Sequence, residues 1–358
     1  MPLVKKCYHC KLINLTNTKQ MTLDQEYENL QHYLQTKEDR GLYSANKQEA
    51  DRYYKIIKKT TKYPLSIRND LIRIEHNPST VAEYWIRIPV GMIRGGLWIG
   101  LIKPYEPIPK DVKICECKLY KRDNRWFLDL VVEKNIPERL DYQNVIGIDM
   151  GIRHIAASVE LASGKTRFYG KDLNRVRGHY FWLRRKLGMK KAIDTIKKIG
   201  NHEKRITNNI IHNISRQIVN RAIESNALIT IGNIKHLRRH NSNRKFNRKL
   251  ASFQYYRLTH YIKYKAALAG IKVIQVSEKW TSQYCRKCYQ KGIRKIQGLF
   301  RCSKCGEDNA DRNAAFNIGH RGLGHASNLG ITVSISRTFP SIDSNAIMRK
   351  EATDFNRW

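Results

Sequence analysis

Two CxxC pairs, Cys285-x2-Cys288 and Cys302-x2-Cys305, constrain this chain more than anything else in it. At this spacing two knuckles joined by a short hairpin bring four thiolates to the corners of a tetrahedron, the pattern of a zinc ribbon. The joining loop, Tyr289 to Arg301, carries Gly292 and Gly298 where turns are needed. Four thiolates leave no open coordination position, so a zinc ion held this way is structural. The plain alternative is four buried free cysteines, and the paired spacing in a strongly basic chain argues against it. The ribbon, residues 283–308, falls between an apolar strand, Lys272–Val276, and a helix starting near Asp311. It therefore reads as an insertion in a larger domain.

That larger domain occupies 139–335 and alternates strand and helix. Val145–Asp149, His154–Leu161 and Thr166–Tyr169 read as a three-strand meander. A helix over 203–224 presents Ile206, Ile210, Ile214, Ile218 and Ala222. Strand Leu228–Ile231, a helix over 251–269, strand 272–276, the ribbon and a last helix follow. Three strands, then helix, strand, helix, strand, helix, is the element order of the RNase H-like fold, an α/β class. Residues 1–138 read as a mixed domain of strands, plausible as a β-barrel, with a small helical insert. Its helices fall at 22–36, with Thr22 and Gln25 as a capping box, and at 46–60. A hairpin turns at Arg122–Arg125, and 137–143 reads as the linker. The tail 336–358 is polar, Ser- and Asn-rich, and has the composition of a disordered segment.

The chain carries 67 Lys and Arg against 31 Asp and Glu, a formal charge of +36. Charge on this scale points to a polyanion partner, nucleic acid first. The basic residues gather at Arg184-Arg185-Lys186, at Lys190-Lys191 and from Arg238 to Lys249. The last run holds Arg238, Arg239, Arg244, Lys245, Arg248 and Lys249, and reads as a phosphate-tracking segment rather than a merely solvated loop. Tyr180 and Trp182 lie among the cations as candidates for base stacking, with core packing as the default for each. The longest apolar run, Gly95 to Ile102, is too short to span a bilayer, and the N-terminus has no apolar signal core. Eight cysteines without a secretion signal favour a reducing compartment. The expected location is cytoplasm or nucleoid, or nucleus in a eukaryotic host. Cys7-x2-Cys10 and Cys115-x-Cys117 would make a second tetrad if their strands were neighbours; core cysteines are the simpler reading.

Asp149 ends the apolar strand Val-Ile-Gly-Ile, with Gly151 just after it. An acid at a strand end and a late acid at a helix start fit phosphodiester hydrolysis with divalent metals, which needs carboxylates converging from separate elements. Each has an ordinary alternative: Asp149 as a turn residue, Asp311 as a helix N-cap, a role open to Asn309 as well.

In combination these motifs resemble a known family. Gly147-Ile148-Asp149-x-Gly151 is followed by Ile211-His212-x-Ile214-Ser215-x-x-Ile218-Val219, then Tyr264-Lys265-Ala266 before Gly270. Next come Thr281-Ser282-x-x-Cys285-x-x-Cys288, Cys302-x-x-Cys305-Gly306 and Asn309-Ala310-Asp311-x-Asn313-Ala314-Ala315-x-Asn317-Ile318. Over about 145–320 the chain resembles the transposon-encoded TnpB proteins, their Fanzor relatives and the compact type V CRISPR effectors. The resemblance implies an RNA-guided, Mg²⁺-dependent DNA endonuclease with a RuvC-type nuclease domain, preceded by a wedge-like β-barrel and a helical recognition insert. It implies a guide RNA and target double-stranded DNA as partners, with base pairing reading most of the target. It also favours Asp149 and Asp311 as magnesium ligands and Cys285, Cys288, Cys302 and Cys305 as zinc ligands.

One departure stands out. The family's usual glutamate ends the fourth strand, where this chain reads Thr230-Ile231-Gly232-Asn233. Either the nuclease is dead and the protein only binds DNA, as a repressor would, or another acid has taken over. Glu278 is the candidate, just before Thr281-Ser282, following the fifth strand, which neighbours the fourth. Fanzor proteins and one TnpB branch resemble this arrangement, so the expected catalytic set is Asp149, Glu278 and Asp311. A guide-free zinc-ribbon protein accessory to a transposase is the remaining alternative.

Overall fold

A computed structural model of the chain describes residues 3–58, 61–102, 104, 107–109, 112–234, 255–294, 296 and 298–335. The chain divides into two compact units, Met1–Asn135 and Ile136–Trp358.

In the first unit, strand β1 (Leu3–Ile13) leads into helices α1 (Asn17–Thr36) and α2 (Ser44–Tyr53). Helix α1 buries the expected stripe of Leu23, Tyr27, Leu30 and Leu34 but begins five residues earlier than its capping box implied. Thr16 is the cap, its hydroxyl accepting from the Lys19 amide at 3.3 Å, while Thr22 sits inside the helix and donates back to the Thr18 carbonyl at 2.9 Å. Helix α2 stops at Tyr53, short of the expected 60; beyond it Tyr54 and Ile57 still pack against the core, and Ile56 lies exposed.

Strands β2 (Leu65–Ile67), β3 (Arg73–His76), β4 (Tyr84–Val90), β5 (Ile93–Leu101), β6 (Lys113–Arg122) and β7 (Arg125–Asn135) complete one seven-stranded sheet in the order β2-β6-β7-β1-β5-β4-β3. Strand β1 pairs with β7 along most of its length and with β5 at Leu12 and Ile13, so it joins the two halves. The edge strands β2 and β3 are linked by the short turn Arg68–Ile72. The sheet is thus curled into a half-barrel whose edges are bridged by a turn instead of a hydrogen-bonded ladder. Its interior is Ile86, Ile88, Ile99, Leu101, Leu119, Leu128 and Leu130, all fully buried. The β6–β7 turn places Asp123 and Asn124 at φ 49° and 57°, the left-handed pair that a tight hairpin requires.

In the second unit, β9 (Asn144–Asp149), β10 (Ala156–Glu160), β11 (Thr166–Tyr169), β12 (Ala227–Asn233) and β13 (Val273–Ser277) form a five-stranded sheet ordered β11-β10-β9-β12-β13. The first three run antiparallel; β12 lies parallel to β9, and β13 parallel to β12. Short strands β8 (Asp141–Tyr142) and β16 (Thr332–Val333) pair with each other. The stretch read as a linker is therefore pinned to this unit, with the Arg139 amide also donating to the Gly270 carbonyl at 2.9 Å. Strands β14 (Leu299–Cys302) and β15 (Gly306–Asn309) make the ribbon hairpin.

The helices are α3 (Lys171–Met189), α4 (Ile193–Glu224), α5 (Tyr255–Leu268) and α6 (Ala310–Asn328). Helix α4 begins ten residues before the expected 203. Its first half is held by α3, through the ion pair of Arg184 and Glu203, and only from Thr207 onward does it bury side chains in the core. The buried set is Ile211, Ile214, Ile218, Val219 and Ala222. Ile206 and Ile210 stay half-buried, because a strict four-residue step drifts off the face of a helix with 3.6 residues per turn. Among the described residues no helix is long and apolar enough to cross a membrane.

Candidate metal and nucleic-acid site

Strand β9 is the middle of its sheet, with Val145, Ile146 and Ile148 fully buried, and it delivers Asp149 at its end. Helix α6 crosses β9 at backbone distance. A methyl on Gly147 would meet the Ala315 carbonyl and fall 2.6 Å from the Gly319 amide nitrogen. Farther along, Gly322 packs against Thr230 of β12, where a Cβ would lie 2.7 Å from the threonine's own. This close seat brings the first turn of α6, and Asp311, to the end of the sheet where Asp149 emerges.

Asn309 caps α6, its side-chain oxygen accepting from the amides of Asp311 and Arg312 at 3.0 Å each. Asp311 is thereby left free of capping. Its carboxylate meets His154 Nδ1 at 3.2 Å through one oxygen and Arg294 Nη2 at 3.6 Å through the other. The His154 ring is backed by Phe168, with centroids 4.9 Å apart.

Glu278 follows β13, beyond the register in which Gly232 faces Val276 and Asn233 faces Ser277. Its carboxylate lies over Gly232. A Cβ on that glycine would run into Oε1 and Cγ and stand 2.7 Å from Cδ. The glycine thus does more than lack an acid: it vacates the volume the Glu278 side chain fills. Oε1 is buried without a hydrogen-bond partner among the described residues.

Asp149 lies within electrostatic reach of Asp311, and Glu278 within reach of Asp149. Burial, then the charge of Asp311, push the Asp149 carboxyl up to about 7, against a lowering by Arg294. Burial, then the charge of Asp149, push Glu278 up to about 8. Raised values of this kind keep the two acids protonated in the absence of a cation, and oxygen donors such as these would suit a hard divalent ion. Among the described residues the three carboxylates are not packed within 4.8 Å of one another as the thiols are.

The four thiols Cys285, Cys288, Cys302 and Cys305 all lie within 4.8 Å of one another. Phe300 and Ala310 pack beneath them. Burial pushes the Cys302 thiol up, but the amides of Cys305 and Lys304 and the neighbouring thiols outweigh it and hold it down to about 7. The hydrogen bond with Cys288, then burial, push Cys305 the other way, up to about 12, so the thiols of the cluster ionise one before another. Arg286 ties the ribbon to the approach of α6 through Asp308 at 2.6 Å.

Two asparagines that the sequence offered only as motif letters prove structural to the site. Asn317 Nδ2 donates to the carbonyls of Thr281 and Tyr284, both at 2.8 Å. Asn313 donates to Tyr284 O at 2.7 Å and accepts from the Arg286 amide at 2.8 Å. Helix α6 thus holds the segment that follows Glu278. Their spacing of four residues on a helix, facing a Thr-Ser-x-x-Cys segment, was the available signal. His154 and Arg294 had none, since each is brought in from a loop.

The candidate nucleic-acid residues divide. Arg185 and Lys186 project from α3 into solvent, whereas Arg184 is engaged with Glu203. Trp182 is exposed with the Lys186 ammonium 4.1 Å from its ring centroid, and Tyr180 is buried. Arg238, Arg239, Arg244, Lys245, Arg248 and Lys249 lie outside the described residues, as does the tail 336–358. The alternative second cysteine tetrad does not form. Cys10 and Cys117 point into the barrel core and Cys7 points out, since residues three apart on a strand face opposite ways.

Comparison with known proteins places these features. Residues 255–318 match the family model described as Cas12f1-like, TNB domain. The CRISPR-associated endodeoxyribonuclease Cas12f1 of Sulfoacidibacillus thermotolerans is 32% identical over 217 residues, covering 55% of this chain and 50% of that protein. A TnpB-like protein of Methanocaldococcus jannaschii is 25% identical over 184 residues, covering 48% of this chain and 66% of that one. The chain thus spans about half the length of the curated Cas12f1 relative it matches. In fold it is similar to the protein of a Cas12f1–sgRNA–target DNA complex, with a TM-score of 0.57 at 17% identity, covering 76% of this chain and 68% of that one. Over the spans they cover, the family model and the relatives make the chain similar to Cas12f1 and TnpB-like proteins, and the solved structure shows a similar fold.

Proposed function

We propose that this protein is an RNA-guided, Mg²⁺-dependent DNA endonuclease of a transposon-type mobile element, with a RuvC-type site formed by Asp149, Glu278 and Asp311. The observation that carries the reading is the fit of Glu278 into the space left by Gly232, next to Asp149. An idle site would have no reason to keep a buried, unpartnered carboxylate there, because its desolvation cost is uncompensated. Magnesium ions held by the three carboxylates would activate water and stabilise the leaving oxygen of the cut strand. His154 orients Asp311, and Arg294 supplies positive charge where the scissile phosphate would arrive. Zinc on Cys285, Cys288, Cys302 and Cys305 is structural in this reading, keeping the entry to α6 folded. The +36 charge and the exposed cations of α3 suit a guide RNA and its heteroduplex with DNA, which are held through the backbone.

The test is to purify the protein with its bound RNA, sequence that RNA, and challenge matched plasmid libraries with Mg²⁺. Cleavage by the wild type that is lost in Glu278→Ala is the expected result. Guide-dependent binding without cleavage would make the protein a nuclease-dead repressor. Absence of a defined RNA would favour a guide-free accessory protein.

A further inference from the structure

We infer that the outer face of the half-barrel carries a second transition-metal site, of zinc type, formed by Cys7, His9 and Asp129. The ligand atoms of these three side chains all lie within 4.8 Å of one another. Nothing in the family reading uses them, and they belong to the first unit, whereas the ribbon belongs to the second.

The site follows from strand geometry. Cys7 and His9 are two apart on β1 and so share its solvent face. His9 pairs directly with Asp129 of β7, and Cys7 pairs with Val131, one step along the same face. Strand β7 is laddered on both sides, by β1 and β6, so Asp129 stands on a rigid backbone. Its Oδ1 receives His9 Nδ1 at 2.7 Å and the Tyr120 hydroxyl at 3.2 Å, which fixes the carboxylate and leaves its second oxygen available.

The donor set selects the ion. A thiolate, an imidazole and a carboxylate are the ligands of zinc and its neighbours, not of magnesium or calcium. Burial, then the charges of Asp129 and Glu116, push the Cys7 thiol up to about 11, so the ion must displace its proton; thiolate and carboxylate then bring two negative charges, matched by one divalent cation. Ligands of a tetrahedral zinc stand roughly 3.3–3.8 Å apart, given bond lengths of about 2.0–2.3 Å, so closure from the observed spacing requires side-chain movements of about 1 Å. On entry the ion exchanges the His9–Asp129 hydrogen bond for bonds to both residues. Three protein ligands leave the fourth position to water, on a face where His9 is largely exposed. The neighbouring charges are already paired among themselves: Lys118 with Glu116 at 2.7 Å, and Lys5 and Lys113 each with Glu133 at 3.9 Å. Among the described residues no ion pair joins a lysine to Asp129.

The experiment is metal stoichiometry on the full chain after dialysis against a zinc buffer, comparing wild type with Cys7→Ser, His9→Ala and Asp129→Asn. The wild type is expected to hold one zinc more per chain than Cys7→Ser or His9→Ala, with Asp129→Asn weakening that ion at least tenfold. Cobalt substitution gives a second readout: the wild-type minus Cys7→Ser spectrum should contain a thiolate-to-cobalt charge-transfer band. The difference does not depend on what the ribbon binds, so it stands whether or not the nuclease reading holds. Equal zinc content in wild type, Cys7→Ser and His9→Ala, with no cobalt difference band, overturns the site. Cys7 and His9 are both exposed, so the variants test the ion and not the core.

Discussion

Gly232→Ala is a one-carbon test of how the acid site is built. The added methyl would meet Oε1 and Cγ of Glu278 and lie 2.7 Å from Cδ. Carbon atoms in contact stay about 3.5 Å or more apart, so the carboxylate must retreat by about 1 Å. Two consequences separate. The atoms that must move are the end of a flexible side chain, and moving them relieves a buried, unpartnered oxygen, so the stability cost falls at or below the low end of the ~1–3 kcal/mol usual for overpacking. A misplacement of about 1 Å in a catalytic ligand, however, costs about 100-fold in rate. The assay is guided plasmid cleavage in Mg²⁺, run beside thermal melts with and without Mn²⁺. Gly232→Ala should melt within ~1 kcal/mol of wild type, cleave about 100-fold more slowly, and lose most of the Mn²⁺-induced rise in melting temperature. Moving the acid, with Gly232→Glu in a Glu278→Ala background, should recover part of that rise, whereas Gly232→Glu alone crowds two carboxylates into one volume. Wild-type cleavage and an unchanged Mn²⁺ response in Gly232→Ala would refute the claim that the glycine makes room for a working ligand.

Metal-free protein should lose stability as pH rises from about 4 to 8. The folded values of about 7 for Asp149 and about 8 for Glu278 stand above the ordinary 3.8 and 4.5, so the native state holds the extra protons across that window; melting curves without divalent ions should fall with pH, and Mg²⁺ should rescue pH 8 more than pH 5. Cys285→Ser should release one zinc per chain and cost several kcal/mol locally, read as lost hydrogen-exchange protection over 283–309 with the five-stranded sheet still protected. Arg221 is buried against Glu160 and also donates to Ser158 at 3.0 Å and to the Lys165 carbonyl at 2.7 Å. Arg221→Met should therefore destabilise by about 3–5 kcal/mol in urea melts, because it strands a buried carboxylate; a loss under 1 kcal/mol would show that Glu160 finds other partners.

What the sequence made legible is what local pattern encodes. Strand β9 is an unbroken apolar run because it is covered on both faces, and the acid at its end follows from that run. The four thiols announce themselves by spacing. Helix α3 did not, since it buries only Leu173 and Tyr180 and has no apolar stripe for periodicity to find. Likewise the first half of α4 rests on another helix through charge rather than on the core. The relation of Gly232 to Glu278 is a matter of volume between two strands. A sequence can report that an acid is missing at one position and present at another, but not that the first must be empty for the second to fit. The split of Cys7 from Cys10 was available in principle from strand alternation, yet it needed the strand to be assigned through both residues.

In the proposed reading the acid comes just after the neighbouring strand, where another element must place it. A glutamate at the end of β12 would be held by the sheet itself. Glu278 stands past the end of β13, on a chain that has left its ladder and turns through Trp280 at φ 71°. Loops of this kind place side chains poorly unless something else fixes them. Helix α6 does so: Asn317 and Asn313 grip the carbonyls of Thr281 and Tyr284, and the Glu278 carbonyl accepts the Thr281 hydroxyl at 2.9 Å. The same helix carries Asp311 in its first turn and is itself seated on β9 through Gly147 and Gly319. One helix therefore references both Glu278 and Asp311 to the strand that bears Asp149. Replacing Asn317 by an isosteric aliphatic residue would leave the Thr281 carbonyl short of its donor, while the Tyr284 carbonyl keeps Asn313. It should harm the placement of Glu278 before that of Asp311, whose own cap, Asn309, is untouched.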